Sequence, residues 1–235
     1  MPTGRLSSTW QGGRTGATGV LGTDELGRDV LSRLMYGGRI SLAVGLAAAL
    51  ISAVIGVLVG ALAGFYGGWV DAVLMRFIDL MLAFPALFIL LILFSIVSAS
   101  VWNVVVFLGL FGWMWLARVI RGELMALKER DFVDAARGAG AGDGRLIAYH
   151  LLPNVVAAII VSTTLEVAYN MIAEATLDFL GFGVPPNVPT WGNMLTGAEN
   201  YYLQAPLLAI APRVVLVLAI LAINFIGDGL RDALD

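Results

Sequence analysis

Two carboxylates sit where a bilayer-spanning helix would hold them away from bulk water. Glu166 and Glu174 are the only charged side chains in the apolar run Val155–Leu177, with Asn170 midway between them. Residues four apart on a helix stay on one stripe, so Glu166, Asn170 and Glu174 face one way within about 80° of arc. A charged side chain at the bilayer centre costs roughly 3 kcal/mol even on lenient scales, so each must meet a partner or water. Two readings follow. The stripe could line a path through the membrane and attract an amine or another cation, with Tyr169 and Asn170 adding hydrogen-bonding capacity. It could instead tie helices together through interhelical hydrogen bonds.

Hydrolytic chemistry fails on inventory. The only lysine is Lys128, preceded by Met125, Ala126 and Leu127, so there is no glycine-rich phosphate loop ending in lysine. Any ATP-Mg chemistry coupled to this chain therefore belongs to another subunit. The single histidine, His150, has no second His or Cys beside it, and the sequence contains no cysteine. A His-based zinc site and thiol catalysis are excluded, and no catalytic, metal or cofactor-binding residues are assigned to the chain. With a net charge of −3, a nucleic-acid role has no electrostatic basis.

The elements that carry these residues are apolar. The 235-residue chain is 59% hydrophobic and 13% charged, against about 25% charged in soluble domains. Ser41–Phe65, Leu80–Ser98 and Val101–Ala117 hold no charge at all, and Leu207–Gly227 holds only Arg213. With Val155–Leu177 these make five runs of the length a helix needs to cross a core of about 30 Å. The expected fold is all-α, a polytopic transmembrane helix bundle of about five spans.

Lys and Arg set the orientation. Arg118, Arg121, Lys128, Arg130, Arg137 and Arg145 crowd the connection between the third and fourth spans, whereas 178–206 has none. The 118–154 loop is therefore expected in the cytoplasm and the 178–206 loop outside. Asp71, Arg76 and Asp79 are expected to cap spans at the first inner turn. Pro85 and Pro212 are candidates for helix kinks, and Arg213 for a snorkelling residue or a partner of Glu174. Residues 1–21, rich in Gly, Ser and Thr, read as a disordered tail, followed by an extracytoplasmic segment at 22–39 and a membrane domain at 40–235. One segment conflicts: an outside N-terminus should not carry Arg5, Arg14, Arg28, Arg33 and Arg39, so we expect an incomplete N-terminus.

The inner loop offers a different kind of site. Arg121–Asp131 reads as a charged helix leaving the membrane. After it, Phe132 and the small residues Ala135, Ala136 and Ala139 suit a short helix inserted into a cleft of another protein. Small residues allow close approach, and one aromatic supplies most of the buried area. Gly138, Gly140, Gly142 and Gly144 would then turn the chain, Asp143 would cap a second short helix ending near His150, and Pro153 would open the next span. A solvated loop with flexible glycines is the alternative.

Asp134-Ala135-Ala136, Gly140 and Leu152-Pro153 resemble the EAA motif of ABC importer permeases, with Asp in place of the usual Glu. His150–Asn154 resembles the variant of the dipeptide, oligopeptide and nickel branch. Gly22–Arg33, and Glu174–Gly183 with Pro185-Pro186 and Trp191-Gly192, resemble its C-type permeases. The resemblance covers residues 22–235. It implies a coupling helix seated in a cytoplasmic ATPase and a second permease subunit, with heterodimer assembly. It also implies two ATPase subunits, an extracytoplasmic binding protein and a prokaryotic cell-membrane location. Such permeases usually have six spans, the first before Gly22, so the resemblance sharpens the expectation of a missing initial span. A stand-alone channel or secondary transporter is the rival, but it leaves the docking segment unexplained and no inverted repeat is visible.

Overall fold

The computed structural model describes residues 20–24, 26–196, 198 and 203–234. The expected disordered tail at 1–21 falls almost wholly outside these residues, as does Glu25. The helices in chain order are α1 (Val30–Tyr66), α2 (Gly68–Leu82), α3 (Ala86–Ile96), α4 (Val101–Leu127), α5 (Asp131–Gly138), α6 (Asp143–Arg145), α7 (Val156–Phe179) and α8 (Leu207–Leu234). Among the described residues no strand forms, only an isolated bridge between Thr23 and Asp29. Four helices are long and apolar enough to cross a membrane, and five spans result if α2 and α3 count as one broken span.

That broken span corrects the sequence reading of Leu80–Ser98 as one helix. α2 and α3 are bent 76° apart. The cause is Pro85, which has no N–H for the helix ladder and occupies the extended cap position of α3. Pro212, by contrast, lies inside a continuous α8. Asp71 and Asp79 do not cap spans either. Asp71 accepts from both Nε and Nη2 of Arg121, and Asp79 accepts from Arg118 at 2.6 Å, so both tie α2 to α4. The cap positions of α2 are Gly67 and Ala83.

α1 and α4 run parallel and pack through glycine. Gly56, Gly60 and Gly64 face the backbone of Trp113, Ala117 and Arg121 in step, four residues to four residues. A Cβ on Gly60 would fall 2.5 Å from the Ala117 carbonyl oxygen. This is small-residue packing of the kind lipid favours, where association depends on close fit rather than on expulsion of water. Ser52 fixes the register by donating to the Gly109 carbonyl at 3.0 Å.

α7 runs antiparallel to α1, with Gly45 against Val167 and Met171 and Ser41 against Glu174. α8 returns along α7, placing Gly227 on Thr164 and Ala211, Val215 and Ala219 around the Val167–Met171 core. Two ends of the bundle result. At one, Trp191 of the 180–196 loop donates Nε1–H to Leu34 O at 2.9 Å near the start of α1. At the other, Ile120 and Leu124 of α4 meet Val133, Leu146, Leu151 and Val155.

Candidate coupling surface and transmembrane cavity

The segment after α4 folds into an elbow. α5 starts after Arg130 in extended conformation and carries Asp131 and Asp134 in its first turn and Arg137 in its last, matching the helix dipole. It ends in a Schellman cap. Gly140 N–H donates to Arg137 O at 3.0 Å and Ala141 N–H to Ala136 O at 3.1 Å, with Gly140 at φ 87°. α6 then begins at Asp143, with Gly142 rather than the expected Asp143 in the cap position. It continues through a π-helical turn at Leu146–Leu151 and a 3-10 turn at Leu152–Val155 into α7. Pro153 lies in that last turn.

Val133, with Ala136 beside it, anchors α5, and most of the rest of the helix is exposed. Val133 is fully buried against the core of Leu124, Leu146 and Leu151. Phe132 is 40% exposed, Asp134, Ala135, Ala139 and Gly140 are exposed, and Ala136 is half-buried. Leu152 is half-buried and Pro153 exposed. Tyr149, which the sequence reading did not single out, is 76% exposed on the following turn. The surface holds small side chains and aromatic rings and no catalytic arrangement, a form suited to insertion.

The stripe on α7 divides between two environments. Glu166 lines a cavity of about 400 Å³ walled by Phe111, Gly112 and Trp115 of α4 and by Ser162 and Tyr169. Asn170 and Glu174 are instead buried. Glu174 faces α1, where Ser41 Oγ donates to its Oε1 at 3.3 Å. Glu174 Oε2, both side-chain polar atoms of Asn170 and Glu166 Oε1 are buried without a hydrogen-bond partner among the described residues. Arg213 is exposed on α8 and forms no pair with Glu174.

A second buried carboxylate, Asp178, receives no role in the sequence reading, which places it at the start of the 178–206 loop. It accepts from Thr190 Oγ1 and from the Val184 N–H. Thr190 Oγ1 accepts in turn from the Asn193 N–H at 2.9 Å. Asn193 Nδ2 bridges the carbonyls of Val184, Pro185 and Val188. This knot holds the Pro-rich loop over the ends of α1 and α7. Beside it, Asp24 clamps the segment before α1 by accepting from the N–H of Leu26 and Arg28, Arg28 Nε and Arg33 Nη1. Burial in itself would raise the Asp24 carboxyl. The Arg28 backbone N–H, the Arg28 and Arg33 guanidiniums and the Leu26 N–H outweigh it and hold the group below its ordinary value.

The helix bundle thus carries a projecting elbow at one end and an ordered loop at the other. Residues 56–235 match the inner membrane components of binding-protein-dependent transport systems, and the chain belongs to that family. A Brucella suis biovar 1 protein that carries a peptide permease name is 49% identical over 216 residues, 91% of this chain and 72% of its own length. The glutathione transport system permease protein GsiD of Pectobacterium atrosepticum is 41% identical over 215 residues, 92% of this chain and 71% of its own. The fold is that of the permease chain in the MetNI methionine ABC transporter, with TM-score 0.72 over 87% of this chain and 97% of that one, at 19% identity. The chain is thus a multi-pass inner-membrane permease component of an ABC importer, a transport subunit and not an enzyme.

Proposed function

We propose that the chain is one of two permease subunits of a peptide importer, driven through its elbow by two cytoplasmic ATPases and loaded by an extracytoplasmic binding protein. One observation carries this reading: α5 and its cap expose Phe132, Asp134, Ala135 and Ala139, while Val133 is buried in the core that α5 shares with Leu146 and Leu151 of the following turn. A surface segment with an exposed aromatic, small neighbours and a rigid root is built to be gripped and to pass on force. ATP-Mg binding closes the ATPase dimer, the two docked elbows approach, and the helices rooted in them exchange inward for outward access. Di- or oligopeptides are the proposed cargo, in keeping with the peptide and glutathione names of the relatives; nickel is the alternative.

Purification tests the reading. Tagged chain expressed with its neighbouring subunits should retain an ATPase through detergent extraction. Phe132→Ala should weaken that retention by about 2 kcal/mol, roughly thirtyfold in affinity. A stand-alone carrier or channel would yield no ATPase, and Phe132→Ala would then change nothing.

A further inference from the structure

Among the described residues, Glu166 is the only charged one lining the cavity between α4 and α7. Its Oε1 is buried and has no donor. The neighbouring hydroxyl of Ser52 is committed to the Gly109 carbonyl at 3.0 Å. Gly112 makes this placement possible, because a Cβ there would overlap both Glu166 Oε1 and Ser52 Oγ. The carboxylate is therefore set into the wall of α4 and left without a counter-ion. The nearby cation Arg118 lies 6.0 Å over the Trp115 ring but is held by Asp79 at 2.6 Å.

We propose that this cavity is a binding site for a protonated primary amine, with Glu166 as its anion and the Trp115, Phe111 and Tyr169 rings as its walls. The proposal rests on the permease reading and names the chemical group the path receives. A single carboxylate among aromatic rings suits an alkylammonium, which combines one charge with an apolar stem and gains from the ring faces. It does not suit a hard divalent cation, which takes six or more oxygen ligands. Among the described residues no three His, Cys, Asp or Glu side chains gather to hold a metal ion. A volume of about 400 Å³ accommodates an amino-acid-sized group. A second cavity of about 390 Å³ shares Val119 and Ser162 with the first and carries Glu123 and Arg231. This more polar cavity adjoins the amine site on the side nearer the elbow.

Carbodiimide labelling provides the test. Dicyclohexylcarbodiimide attacks carboxyl groups in apolar surroundings, and an ammonium paired to Glu166 would both cover the group and keep it ionised. The purified transporter complex is labelled in the presence of n-butylammonium chloride, n-butanol or sodium chloride. Loss of the unmodified Glu166 peptide is quantified by mass spectrometry, so that the N-acylurea and the butylamide formed when free amine displaces dicyclohexylurea both count as reaction. Butylammonium should slow labelling of Glu166 at least fivefold, with less than twofold slowing by the other two. Equal slowing by butanol would identify a merely apolar cavity, and equal slowing by sodium chloride a general salt effect; either overturns the amine site. Failure of Glu166 to react also overturns it. ATP hydrolysis stimulated by the binding protein, measured on the same preparation, reports the permease reading separately: stimulation without butylammonium protection removes the amine site and leaves the permease.

Discussion

Thr190 illustrates how one hydroxyl can hold a loop. Its Oγ1 donates to Asp178 and accepts from the Asn193 N–H, joining α7 to the turn that Asn193 braces. Thr190→Val keeps the shape and leaves a buried carboxylate oxygen short of a donor, which costs about 1–3 kcal/mol. Thermal unfolding of the purified complex should show a lower Tm for this variant than for the parent. Asp24 sets a pH dependence of known sign. Its carboxyl lies below the ordinary value of 3.8, so its contribution is present above that value and fades as pH falls through the folded-state value. The Tm difference between the parent and Asp24→Asn should stay constant from about pH 7 to about pH 5 and close only under stronger acid.

The glycine stripe of α1 is the element on which the bundle depends. Gly60→Val would drive two methyl groups into the Ala117 carbonyl and the Ile120 side chain, which approach the missing Cβ to 2.5 and 2.9 Å. Overpacking of this kind costs about 1–3 kcal/mol, and here it must push a pair of parallel helices apart. The yield of assembled complex should fall, whereas Gly122→Ala, where nothing lies within 4 Å, should leave it unchanged. Apolar run length alone made four of the five spans legible, because a bilayer imposes length as no soluble core does. The α2–α3 break was half legible: Pro85 was visible as a kink site, but the continuous apolar run around it hid a 76° bend. Asp71 and Asp79 misled for another reason. Acids near helix ends suit capping, and only the placement of α4 shows that Arg121 and Arg118 claim them. On the elbow the short helix and its glycine stop were readable from spacing, while the buried role of Val133 was not, since one valine beside an aspartate gives no sign of which side faces the core.

Across the whole molecule the elbow and the Asp178 loop occupy opposite ends of the bundle, linked by α1, α4 and α7. Val133 of α5 and Leu124 of α4 belong to one buried core, and α4 packs on α1 along the glycine stripe, so the proposed coupling would run from α5 through this core. The cavity at Glu166 lies between these ends, against α4 and α7. Cross-linking tests this coupling most directly. The chain contains no cysteine, so a single cysteine at Ala135 is a unique reporter. With one cysteine in the groove of the ATPase, Ala135→Cys should form a disulfide product whose yield changes on addition of ATP-Mg, while Asn187→Cys in the opposite loop forms none. Contradiction would take the form of no product at position 135, or equal products at both positions.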